Sequence, residues 1–125
     1  MLGKFVLWLS AILFIGYGIA CILDPALPAA SAGLSIENGD GFAEMASMYG
    51  GLQTGFGIWC LLGALRPDLY RAVLTSLVLV VGLLATGRLY GSIVGSGELT
   101  AYTWGAMGYE YFTAILAFVA LKKAS

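Results

Sequence analysis

The stretch from residue 72 to residue 94 reads AVLTSLVLVVGLLATGRLYGSIV. Its 23 residues carry a single charge, Arg88. About 20 mostly apolar residues, rising ~1.5 Å each as a helix, cross a ~30 Å hydrocarbon core. This stretch is long enough and apolar enough to do so. Three others resemble it. One runs from Phe5 to Leu23 and is closed by Asp24-Pro25. Another runs from Met45 to Leu65, without a charge, and stops at Arg66-Pro67-Asp68. The last runs from about Thr103 to Leu121 and is interrupted by Glu110. The expected fold is all-α: one integral membrane domain over 1–125, a transmembrane four-helix bundle with helices at about 4–23, 44–65, 70–94 and 103–122.

Composition supports this reading. The hydrophobic fraction is 60%, the charged fraction 10% and the mean hydropathy +0.91. A soluble chain of 125 residues cannot hide that much apolar surface, because small domains leave much of themselves exposed. Glycine is abundant and strict alternation is missing, so helices fit and barrel strands do not. The chain has no histidine, which removes His-ligated haem, His-containing zinc sites and His-based triads. A net charge of −1 without a basic run makes nucleic acid an unsuitable partner. A cleaved signal peptide is the main rival for the first stretch. Its apolar run is long for a signal, and Asp24 and two prolines separate it from Ala30-Ser31-Ala32, so a retained helix is expected.

Orientation follows from the cations. Lys4, Arg66, Arg71, Lys122 and Lys123 fall on one side of a four-span chain. Asp24, Glu37, Asp40 and Glu98 fall on the other, so both termini are expected in the cytoplasm. Trp8, Tyr70, Tyr102 and Trp104 lie near span ends, where aromatic belts form. The outer connection contains Glu37-Asn38-Gly39-Asp40-Gly41, which lacks the spacing of a calcium loop and reads as a turn. Residues 28–34 are a candidate surface helix.

Three ionisable residues fall within or at the edge of the membrane zone. Counting ~1.5 Å per residue from the cytoplasmic ends, Arg88 lies roughly 24 Å up, Glu110 roughly 16 Å and Glu44 roughly 31 Å. Helical side chains lean toward their own N-terminus. Arg88, on an outward-running helix, therefore leans down, and Glu110, on an inward-running one, leans up. The two are expected to pair, with Glu44 an interfacial satellite. Small residues surround both: Ala85, Gly91, Ser92 and Gly95 near Arg88, and Ala106, Thr113, Ala114 and Ala117 on the face of Glu110. Gln53 and Tyr17 fall at similar depth, and Tyr49 and Tyr90 are candidate caps. This polar cluster has two readings. It fixes helix register, since an unpaired charge costs roughly 2.5–3.5 kcal/mol on insertion scales; or it receives a ligand head group or a proton.

Gly51 and Gly55 have GxxxG spacing, as do Gly87 and Gly91. They are expected to pack helices within the chain, with a seam between copies as the alternative, so a homo-oligomer stays open. Cys21 and Cys60 lie near opposite membrane faces, so no disulfide joins them. No metal site and no cofactor are expected.

Glu44, Tyr49-Gly50-Gly51, Arg66-Pro67, Gly87-Arg88 and Glu110, in that order, resemble the DUF4345 family of small bacterial membrane proteins. The resemblance covers nearly the whole chain, and the Glu-to-Tyr-Gly-Gly segment marks it best. Where that family often has an Arg between this Glu and Tyr, the chain has Ala46. The resemblance implies a four-helix fold in the bacterial inner membrane and, as the family's function is unknown, no activity. The expected function is non-enzymatic binding of a membrane lipid, another hydrophobic small molecule or a partner membrane protein through the Arg/Glu cluster. The alternative is a small proton-coupled transporter acting as a dimer, with Glu110 or Glu44 as carrier. No nucleophile with a base, and no metal with an open position, supports an enzyme.

Overall fold

The computed structural model describes residues 1–124. All regular structure among them is helical. In order these are α1 (Leu2–Leu23), α2 (Ala26–Ala32), α3 (Gly39–Met45), a π-helical turn (Ala46–Gly51), α4 (Leu52–Leu65), α5 (Tyr70–Ser76), a second π turn (Leu77–Val81), α6 (Gly82–Val94) and α7 (Ala101–Lys123). Three helices are long and apolar enough to cross a membrane: Leu2–Leu23, Tyr70–Val94 and Ala101–Lys123. The run over 39–65 is not one of them. Asp40, Glu44, Gln53 and its many glycines dilute its hydropathy.

The helix ends follow from local chemistry. After Asp24-Pro25, the Asp24 carboxylate accepts from the Ala26 N–H at 3.3 Å and opens α2. Gly33, in the left-handed region at φ 75°, closes it. This short helix begins two residues before the expected 28–34 and buries Pro28 and Ala29. The Asn38 side chain accepts from Gly41 N–H at 3.0 Å, so α3 starts well before the expected residue 44. Thr100 caps α7, and Lys122 and Lys123 complement its C-terminal dipole.

The chain divides into two compact units. The first joins residues 1–7 to 63–124, and the second spans Trp8–Leu62. In the second unit, α1 and α4 run antiparallel at close approach. A Cβ on Gly57 would stand 2.7 Å from the Ile15 backbone nitrogen, and one on Gly18 2.6 Å from that of Thr54. Gly50 faces Ile22, and Phe14 meets Phe56 edge-on with centroids 5.2 Å apart.

In the first unit, α5, the second π turn and α6 lie along α7. Val73, Leu74, Leu77, Val81 and Ala85 are buried on the one side, and Met107, Thr113, Ala114, Ala117 and Ala120 on the other. Gly82 meets the Ala114 methyl, and Gly63 lies against Val73. Outward, the surface stays apolar: Leu83, Ile93, Trp104, Ile115 and Phe118 are all exposed. A surface of that kind suits lipid and not water.

Candidate functional site

Arg88 stands at the middle of α6, and Glu110 stands two turns into α7, which runs the other way. The guanidinium donates to the carboxylate through both forks, Nε to Oε1 at 3.1 Å and Nη2 to Oε2 at 2.9 Å. This parallel two-bond geometry is the strong form of an arginine–carboxylate contact. The Glu110 side chain is 8% exposed and the Arg88 side chain 25%. One member is therefore sealed in the helix interface, and the other reaches its edge.

The surroundings are aromatic and hydroxylic. The Arg88 guanidinium carbon lies 5.9 Å from the centre of the Tyr102 ring, at cation–π range. Thr86 and Tyr111 share a hydroxyl hydrogen bond at 3.2 Å, while Thr86 also donates to the Gly82 carbonyl. Ser92 donates to the Arg88 carbonyl at 2.8 Å. One turn beyond Glu110, the fully buried Thr113 has no hydrogen-bond partner for its hydroxyl among the described residues. Burying that group without a partner costs free energy, which an apolar replacement of similar shape recovers. Thr113→Val is therefore expected to leave stability unchanged or raise it by up to about 1 kcal/mol. Thermal unfolding in detergent measures this; a loss of more than 1 kcal/mol would mean that the hydroxyl has a partner, such as a bound water.

The expected pairing of Arg88 with Glu110 is present, with Ala85, Thr113, Ala114 and Ala117 buried beside it. Gln53, Tyr49 and Tyr17 belong to the Trp8–Leu62 unit and are half-buried there. The Tyr17 side chain lies beside that of Cys21, one turn on. Glu44 is exposed. Tyr90 does not cap the pair: it is 68% exposed, because two residues along a helix turn a side chain ~200° from Arg88. Tyr102, expected near a span end, also lies against the arginine. The sequence signal was available, since it lies two turns before Glu110 on the same broad face.

The glycines differ from expectation as well. Added Cβ atoms at Gly55, Gly87 and Gly91 meet nothing within 4 Å, and one at Gly51 only reaches the Ala46 carbonyl at 4.0 Å. All four are exposed, and the close approaches run through Gly18, Gly50 and Gly57. GxxxG spacing identifies a stripe but not which stripe faces inward.

A family model described as "Domain of unknown function (DUF4345)" matches residues 2–121. No curated protein and no solved structure matches the chain. With its paired Arg88 and Glu110 and a family match over almost its full length, the chain belongs to the DUF4345 family.

Proposed function

We propose that this is a non-enzymatic protein of the bacterial inner membrane that receives the polar head of a lipid-like molecule at the Arg88–Glu110 pair. In this reading the run over 39–65 is a fourth span completing a transmembrane four-helix bundle. Lys4, Arg66, Arg71, Lys122 and Lys123 then mark the cytoplasmic side. One observation carries the binding role. Arg88 keeps a quarter of its side chain exposed, and Leu84, one turn before it on the same face, is exposed too. A pair serving only to fix register gains nothing from a cation left at the lipid-facing edge. A head group with hydrogen-bond acceptors would rest there, with its tail along the apolar face.

Proton carriage by Glu110 fits less well, because both carboxylate oxygens are bonded by one guanidinium and a proton would have to displace it. Native mass spectrometry of the protein released from mild detergent tests the binding role. Wild-type protein is expected to retain a lipid or hydrophobic adduct, and the Arg88→Met/Glu110→Met double variant to lose it. No adduct on the wild type across several detergents would overturn the proposal.

A further inference from the structure

A second feature lies in the same unit as the ion pair and plays no part in that proposal. A cavity of about 300 Å³ is lined by Met1, Lys4, Gly63, Ala64, Pro67 and Tyr70. Gly63 and Ala64 are buried and form its apolar floor, while Lys4 is exposed at its rim. The Tyr70 hydroxyl is seated directly on Gly3, where even a methyl group would displace it. That hydroxyl makes no hydrogen bond among the described residues, and Lys4 makes no ion pair among them. A cation and a hydroxyl donor thus line one small cavity with neither engaged.

The charge around the cavity is mostly positive. Arg71 donates to the Leu121 carbonyl at 3.3 Å, which brings the end of α7, with Lys122 and Lys123, to the start of α5. Tyr70 on Gly3 brings the start of α1 to the same place. Five of the chain's six basic residues collect at this end of the unit. Asp68 is the acidic residue there, and both its oxygens are taken by Arg66 at 3.2 and 2.8 Å. The first turn of α1 carries no acidic residue, so its positive dipole end is not offset. An anion with an apolar continuation matches this arrangement. A basic pocket among membrane helices, at the height of the head groups, is where such a molecule is present at high concentration.

We propose that this cavity binds the phosphodiester head group of an anionic phospholipid, with Lys4 and the Tyr70 hydroxyl on the phosphate and Gly63-Ala64 beneath the glycerol. A phosphate group needs only a fraction of the volume, and the acyl chains leave along the exposed apolar helix faces. The site is independent of the Arg88–Glu110 pair.

Native mass spectrometry of the full chain, titrated with phosphatidylglycerol and separately with phosphatidylcholine, tests it. Wild type is expected to retain phosphatidylglycerol preferentially. A Lys near a membrane surface contributes ~1 kcal/mol to anionic lipid attraction, so Lys4→Gln should weaken retention about fivefold. Tyr70→Phe should also weaken it, and remains informative if Lys4→Gln expresses poorly. Lys123→Gln, which removes the same charge outside the cavity, should change retention less than about twofold. The Arg88→Met/Glu110→Met variant should lose only the adduct held at the ion pair and keep the Lys4-dependent phosphatidylglycerol, which separates this site from the first. Equal losses from Lys4→Gln and Lys123→Gln would indicate diffuse attraction and overturn the proposal, as would equal retention of the two lipids. Displacement of the lipid by millimolar inorganic phosphate would assign the cavity to free phosphate instead.

Discussion

Glu110→Ala is expected to lower the stability of the protein by about 3 kcal/mol, the low end of the range for breaking a buried ion pair. The cost is not the lost attraction itself. Removing the carboxylate leaves the Arg88 charge in the helix interface with both donors on that side unsatisfied. The low end applies because a quarter of the Arg88 side chain is exposed, so its charge is not fully sealed in the interface. Unfolding in detergent, followed by far-ultraviolet circular dichroism, provides the measurement. The companion expectation is that Arg88→Met with Glu110→Met returns stability to within about 1 kcal/mol of wild type, since apolar replacement of a whole buried pair is often neutral. A single-variant loss below 1 kcal/mol would show that the pair is solvated and that the cluster is not a closed site. Full stability combined with loss of the bound adduct in the double variant is the result that assigns the pair a role beyond packing.

Two glycines separated by one residue are expected to respond in opposite directions. At Gly57 a methyl group would sit 2.7 Å from the backbone nitrogen of Ile15, so α1 and α4 must move apart. Gly57→Ala is expected to cost about 1–3 kcal/mol, the usual penalty for overpacking. At Gly55 the space is open, and alanine is the better helix former by up to ~1 kcal/mol. Gly55→Ala should therefore be neutral or stabilising. Thermal midpoints of the two variants, measured side by side, distinguish these outcomes. A destabilisation at Gly55 equal to that at Gly57 would contradict the open environment and point to a neighbouring molecule on that face.

The contrast also shows how far the sequence can be read. The ends of α1 and α4 were legible because Asp24-Pro25 and Arg66-Pro67-Asp68 cannot continue a helix in lipid. Arg88 and Glu110 were legible as partners because depth and the lean of helical side chains are fixed by geometry that every α-helix shares. The inward-facing glycines were not. Spacing gives the period of a stripe, but its direction depends on which neighbour each helix meets, and the turn at 46–51 changes the phase between Glu44 and the residues after it. The contact of Tyr102 with Arg88 was missed for a related reason: an aromatic near a span end suits the interface and an arginine equally well. The basic cavity was half legible. The cations were visible as a topology marker, but their assembly around an unengaged tyrosine required the contact between Gly3 and Tyr70.

The π turns have a consequence for how this chain tolerates changes in length. In the first, the Leu52 N–H bonds back to the Ser47 carbonyl, five residues earlier, so the turn holds one residue more than an α-turn would. The second, over Leu77–Val81, lies between the buried base of α5 and Arg88. A residue removed there can be absorbed by the turn relaxing to α geometry, leaving Arg88 facing Glu110. The same deletion a few residues later, inside α6, has no slack to draw on. It would swing Arg88 by ~100° and turn the guanidinium away from Glu110. The helix that carries the charge is thus forgiving of a one-residue change at one place along its length and intolerant of it at the next.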